Sequence, residues 1–113
     1  MILNSRPFLA LGLISATLFG ASQAALAADA AAGRAKAKTC QTCHGIDGIA
    51  KQPNVPHLAG ESEIYLTKQL KAFRDGERKD PQMSIMAKPL SDEDIANLAA
   101  WYSSIKISVT LPE

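Results

Sequence analysis

Five consecutive residues, Cys40-Gln41-Thr42-Cys43-His44, constrain this chain more than any other part of it. They hold the only two cysteines of a 113-residue sequence. One turn of chain between the cysteines puts both thiols on the same side of the backbone and brings the imidazole in beside them. That spacing lets each sulfur add to a vinyl group at a porphyrin edge while the histidine reaches the iron. C-x-x-C-H is the sequence signature of covalent haem attachment. Three other uses of the cysteines fit less well. A redox-active C-x-x-C belongs to a thioredoxin-like βαβ surround, and no alternating strand pattern flanks this one. A zinc site takes about four ligands, whereas the chain has two Cys and two His, and His57 falls outside the usual spacing from His44. A disulfide between residues this close would close a tiny loop, staple nothing distant and leave His44 idle.

The start of the chain reads as an export signal. Arg6 is followed by an apolar run from Phe8 to Phe19, and then by small residues containing Ala25-Leu26-Ala27. The run is too short for a membrane-spanning helix, which needs about 20 apolar residues. Cleavage is expected after Ala27, with Ala24 as the alternate, so residues 1–27 are a leader and residues 28–113 one domain. Of twelve Lys and Arg against eleven Asp and Glu, Arg6 leaves with the leader, and the remainder is balanced. No basic face points to nucleic acid or to an anionic membrane as partner, and no membrane anchor is expected once the leader is removed. A domain this small is marginal without a staple, and an exported one usually has a disulfide or a metal to supply it. The haem is the stabiliser that the cysteines can provide.

Downstream of the leader, the pattern is helical throughout. Asp29 can cap a helix from Ala30 to about Lys38, and Gly33 inside it suggests close approach by another helix. After the CQTCHG run comes a long irregular segment to Gly60 containing Pro53 and Pro56. Ser62 opens a helix to about Asp75, ended by Gly76. Leu66, Leu70 and Phe73 form its inward stripe, while Lys68, Lys71 and Arg74 read first as a solvated face and second as a docking surface. A polar stretch, Glu77 to Gln82, leads into a Met-containing loop, MSIMAKPL. Ser91 and Asp94 resemble a capping box for a last helix from Asp92 to about Ser104, which buries Ile95, Leu98, Ala99 and Tyr102 beside Trp101.

A six-coordinate haem needs a second axial ligand. Once Met1 has left with the leader, Met83, Met86 and His57 are the residues able to supply it. A thioether is a soft neutral ligand that favours ferrous iron and raises the potential relative to a second imidazole.

In AAAGRAKA, CQTCHG, PHLAGE, YLTKQLKAFRDGER and PLSDEDIANLAAWY, the sequence resembles the class I c-type cytochromes, above all the short bacterial periplasmic monohaem type and one half of the related dihaem proteins. The likeness covers essentially the whole of residues 28–113. It implies an all-α fold of three to four helices wrapped around one covalent haem c, attached through Cys40 and Cys43. It implies axial ligation by His44 and by Met83, which stands seven residues before Leu90, with Met86 the alternate and otherwise pocket packing. It also implies a hydrogen bond from the His44 ring N–H to the Pro56 carbonyl, and contact of Leu98 and Trp101 with the first helix near Gly33. Three departures are Gln82-Met83, where relatives often have two adjacent Met residues, Glu61, where they usually have Gln, and Ile49-Ala50-Lys51 in place of a more polar loop.

The implied function is one-electron transfer by a periplasmic carrier, not an enzyme. It would act as a monomer that meets its redox donor and acceptor proteins transiently. Two other readings remain open at this point. One is an electron-transfer subunit of a larger oxidoreductase. The other is a haem enzyme or gas sensor with an open axial position, for which His57 is the only candidate polar group.

Overall fold

The structure, a computed structural model, describes residues 27–113. The leader expected over residues 1–27 therefore lies outside the described residues, apart from Ala27. Asp29 starts the first helix, α1 (Ala30–Lys36), by accepting the N–H groups of Ala31 and Ala32 on Oδ1 at 2.8 and 3.2 Å. Two of the donors that a helix start leaves over are satisfied in this way. The helix expected to reach about Lys38 tightens at Ala37 into a 3-10 turn, Ala37–Thr39. There the Thr39 hydroxyl donates to the Lys36 carbonyl at 3.0 Å, a local bond that competes with continuing the α-helix. The turn leads into α2 (Gln41–His44), a single helical turn with Cys40 as its N-cap.

The second long helix, α3 (Glu63–Asp75), begins where the Ser62 hydroxyl accepts the Tyr65 N–H at 3.0 Å. It ends at Gly76, whose φ of 82° is left-handed; a Cβ there would meet nothing within 4 Å. Glycine is required at this position by the backbone alone. Leu66 and Phe73 are buried and Leu70 packs against the core, as the apolar stripe predicts. Lys71 and Arg74 are not simply solvated. They reach Asp92 at 3.4 and 2.7 Å, and Arg74 also holds Asp75 at 2.9 Å. The Arg74 guanidinium, with Lys71 behind it, holds the Asp92 carboxyl below the usual carboxylate range. Lys68 stays exposed.

The Met-containing segment is not the loop that the sequence suggests. It forms α4 (Met83–Ala87), a short helix with Ala87 fully buried. Hydrophobic periodicity cannot announce so short an element, but Asp80-Pro81 just ahead of it is a local turn signal, and the Asp80 side chain accepts the N–H groups of Gln82 and Met83. Pro89 closes it off, and Ser91 then caps α5 (Asp92–Ser104). The capping box is complete: Ser91 Oγ accepts the Asp94 N–H at 3.0 Å, and Asp94 Oδ2 accepts the Ser91 N–H at 3.1 Å.

Among the described residues there is no strand, and the fold is all-helical, as the sequence pattern predicts. Helices α1 and α3 both pack on α5, and α4 packs on α3. Ile95, Leu98, Ala99 and Tyr102 of α5 form the centre of a core shared with Ala37, Leu66, Phe73, Ala87 and Leu90. The α1–α5 seam is tight because Gly33 lies against the backbone of Asn97. A Cβ on Gly33 would run into the Asn97 carbonyl and lie 3.0 Å from Trp101 Cβ. Trp101 is the expected neighbour, and Asn97 is nearer still. Asn97 is itself buried, and its Oδ1 accepts the Asp29 N–H at 2.7 Å. Lys36 and Asp94 pair at 3.0 Å along the same seam. No helix among the described residues is long and apolar enough to cross a membrane.

Candidate functional site

Cys40, Cys43 and His44 stand at the i, i+3 and i+4 positions of one helical turn, so they share a face of it. The turn is closed by the His44 and Cys43 N–H groups donating to the Cys40 carbonyl at 3.0 and 3.3 Å, and by Gly45 donating to Gln41 at 2.9 Å. Both thiols are free and half-buried. Burial pushes the Cys40 thiol above its ordinary range, against the pull of the Thr39 hydroxyl and the Lys36 charge. Gln52 donates from Nε2 to Cys43 Sγ at 3.5 Å, a contact with no signal in the sequence.

The His44 ring is buried, 7% exposed, and its Nδ1 lies 3.0 Å from the Pro56 carbonyl oxygen. A carbonyl can only accept, so Nδ1 carries the hydrogen, and in the neutral tautomer that this bond selects Nε2 is the nitrogen with the lone pair. The segment that brings Pro56 to His44 is tied down throughout. Gly48 O accepts the N–H groups of Leu58 and Ala59 at 2.8 and 3.1 Å, and Cys43 O accepts that of Lys51 at 2.8 Å. The exposed His57 accepts the Ala50 N–H on Nδ1 at 2.8 Å. Helix α5 clamps the beginning of the segment: the Tyr102 hydroxyl donates to Gly45 O at 3.1 Å, and Trp101 Nε1 donates to Ile46 O at 3.0 Å. It also holds the end, where the Gly60 N–H reaches Tyr102 O at 2.9 Å. The sequence placed Tyr102 and Trp101 only as apolar packing. A buried aromatic with a polar tip needs a partner, and that rule would have pointed to this clamp. Burial pushes the Tyr102 hydroxyl well above its ordinary ionisation range.

Met83 is half-buried and packs against the core, whereas Met86 is 42% exposed. The start of α4 depends on Asp80, whose Oδ1 accepts the N–H groups of Gln82 and Met83 at 2.9 and 2.8 Å. Sequence reasoning passed over Asp80 as part of a polar stretch.

The donor set fits a covalently attached haem. Two unpaired thiols and an imidazole stand on one face of a single turn. The imidazole has Nδ1 committed to the Pro56 carbonyl, the arrangement that orients a ligating histidine and raises its basicity. The family model described as Cytochrome c matches residues 30–106. The chain belongs to the cytochrome c family. Membership makes it an electron-transfer cytochrome and implies covalently bound haem c. Among relatives, it is similar to cytochrome c4 of Pseudomonas aeruginosa, 45% identical over 101 residues that make up 89% of this chain and 49% of that protein. It is also similar to cytochrome c-554(548) of Halomonas halodenitrificans, 53% identical over 69% of this chain and 98% of that one. The crystal structure of reduced recombinant cytochrome c4 from Pseudomonas stutzeri superposes with a TM-score of 0.68 at 44% identity, covering 74% of this chain and 48% of that one. This cytochrome thus spans about half the length of its cytochrome c4 relatives and nearly the whole of the shorter one.

Proposed function

We propose that this cytochrome carries one haem c and works as an exported, periplasmic one-electron carrier. Cys40 and Cys43 would hold the haem through thioether bonds, and His44 Nε2 and Met83 Sδ would bind its iron. The leader ends after Ala27, and residues 28–113 form the haem domain. The observation that carries the reading is the His44 Nδ1–H bond to Pro56 O, because it presents the free Nε2 lone pair of a buried imidazole next to two unpaired thiols. Met83 is favoured over Met86 by its packing against the core and by the anchored N–H beneath it. The family pattern favours it too.

When bound, the haem supplies Fe(III)/Fe(II) cycling; the chain supplies the surround that tunes it. His44 is held in orientation by Pro56, and a basic, fixed imidazole steadies the ferric state. Met83 is a neutral thioether that favours the ferrous state. With His44 and Met83 both holding the iron, little ligand motion would accompany a change of its oxidation state. Donor and acceptor proteins meet such a carrier transiently, over a small interface. The half-length match to the cytochromes c4 favours a second reading, in which the chain serves as one electron-transfer unit beside another polypeptide.

Absorption spectra of the exported, haem-loaded protein test this, taken oxidised and reduced, with and without carbon monoxide. A low-spin c-type spectrum with a weak ferric sulfur-to-iron band and no response to carbon monoxide is expected. A high-spin spectrum that changes with carbon monoxide would overturn the two-ligand reading in favour of an open axial position. Migration with a second polypeptide at physiological salt would move the assignment from free carrier to subunit.

A further inference from the structure

We infer that Asp80 is the positioning residue for Met83, setting the backbone from which the thioether reaches the iron. The inference rests on the reading of Met83 as axial ligand. Helix α4 has five residues, too few to hold a helical conformation unaided, and its principal neighbour is α3. One carboxylate orders its start. Asp80 Oδ1 takes the Gln82 N–H at 2.9 Å and the Met83 N–H at 2.8 Å. Ser84 closes the other half of the bracket: its hydroxyl accepts the Asp80 N–H at 3.1 Å, and its own N–H donates to Asp80 O at 3.0 Å. Pro81, between them, fixes φ and brings no competing donor.

The carboxylate is not engaged elsewhere. Asp80 is exposed and joins none of the ion pairs among the described residues. Its bonds are spent on the two amides that define where Met83 leaves the chain. Nothing comparable anchors Met86, whose N–H continues the helix by donating to Gln82 O at 3.0 Å. The bracket therefore acts on one methionine of the two. A residue that acts this way holds the iron–sulfur bond together without touching it.

The test uses the haem-loaded full chain with Asp80→Ala, Asp80→Asn and Ser84→Ala. Each variant is followed by the ferric sulfur-to-iron band during heating, by reduction potential, and by the helical circular dichroism of the same sample. In Asp80→Ala the band is expected to fade at a lower temperature than the helical signal. The fraction of molecules with Met83 off the iron should rise roughly fivefold, the usual scale of a lost cap, and the potential should fall. Asp80→Asn can still accept both amides and should restore the band and most of the potential. Ser84→Ala should change the band in the same direction but less, which keeps the inference testable even if Asp80→Ala does not fold. Wild-type band and potential in Asp80→Ala would overturn the inference. So would loss of band and helix at one temperature, because that is what a general stabiliser does. Asp80→Asn behaving like the alanine variant would overturn it as well, since charge rather than hydrogen bonding would then be responsible. Met83→Ala separates the two levels: a sulfur-to-iron band that survives this change removes Met83 as ligand whatever Asp80 does.

Discussion

The two flanks of the proposed site are built on different principles. On the His44 side the ring is anchored to Pro56, and the segment around it is bonded at both ends to α5, a helix that is itself the centre of the core. These bonds join residues far apart in sequence, such as Tyr102 and Gly45. On the Met83 side the anchors come from within four residues, Asp80 and Ser84, on a helix of five residues leaning on α3. Long-range anchoring can give way only when the core does. A local bracket can open while the rest of the molecule stays folded. Stability is therefore concentrated on the imidazole, and in the proposed ligation the Met83 thioether is the ligand with the weaker support.

The largest effect is expected from removing one proposed ligand and then the other. His44→Ala should abolish haem incorporation or leave a product without a low-spin spectrum. Met83→Ala should still carry covalent haem, fold with its helical circular dichroism largely intact, turn high-spin and bind carbon monoxide. Haem content per chain, carbon monoxide difference spectra and circular dichroism check this. If Met83→Ala were as damaging to haem content as His44→Ala, the two flanks would not differ, and the comparison would break.

Legibility in the sequence divides along the same line, because it follows range. Features set by a few neighbouring residues could be read: the Asp29 and Ser62 caps, the Ser91/Asp94 capping box, the stop at Gly76 and the attachment turn itself. The family resemblance added Pro56 as the partner of His44, and the structure has that hydrogen bond at 3.0 Å. What could not be read is pairing at long range. Asn97 looks like a polar position on α5 until α1 is laid across it, and only then does its side chain become the cap of the Asp29 N–H. Lys71 and Arg74 read as solvated because Asp92 is remote in sequence and adjacent in space. Asp80 is the opposite case. It is local and readable, and it was hidden by the expectation that a five-residue helix would be a loop.

A mid-sized effect is expected at Gly33. Alanine would gain about 1 kcal/mol of helix propensity at that position. The new Cβ, however, would collide with the Asn97 carbonyl, which is backbone and cannot rotate away. Overpacking of this kind costs about 1–3 kcal/mol, and more when a backbone must shift. The net expectation for Gly33→Ala is a loss of about 2 kcal/mol in denaturant unfolding. The comparison makes a sharper demand on the same variant. Moving α5 disturbs the helix that clamps the segment around His44, so the helical signal and the low-spin spectrum should fail together. A sulfur-to-iron band that fades first in Gly33→Ala would mean that the α1–α5 seam also supports Met83, and the division between the flanks would be less clean than the hydrogen bonds suggest.

The smallest effect belongs to one hydroxyl, and pH gives it a distinctive shape. Tyr102→Phe removes the donor to Gly45 O and should cost about 1 kcal/mol near neutrality, the usual net worth of such a bond. Burial is the main reason the Tyr102 hydroxyl ionises well above its ordinary value of 10.0 in the folded chain. A folded pKa above the unfolded one means that the hydroxyl's contribution is complete below about pH 10 and is lost as pH rises beyond it. Wild type should therefore lose stability above about pH 10 faster than Tyr102→Phe, and the gap between them should narrow as pH rises. Urea unfolding of both proteins at a series of alkaline pH values reads this directly. A gap that stays constant through that range would mean that the hydroxyl ionises equally in both states. The phenol would then be reached by water, the Gly45 bond would be incidental, and the anchoring of the His44 flank would rest on Trp101, Pro56 and the Gly60–Tyr102 backbone bond.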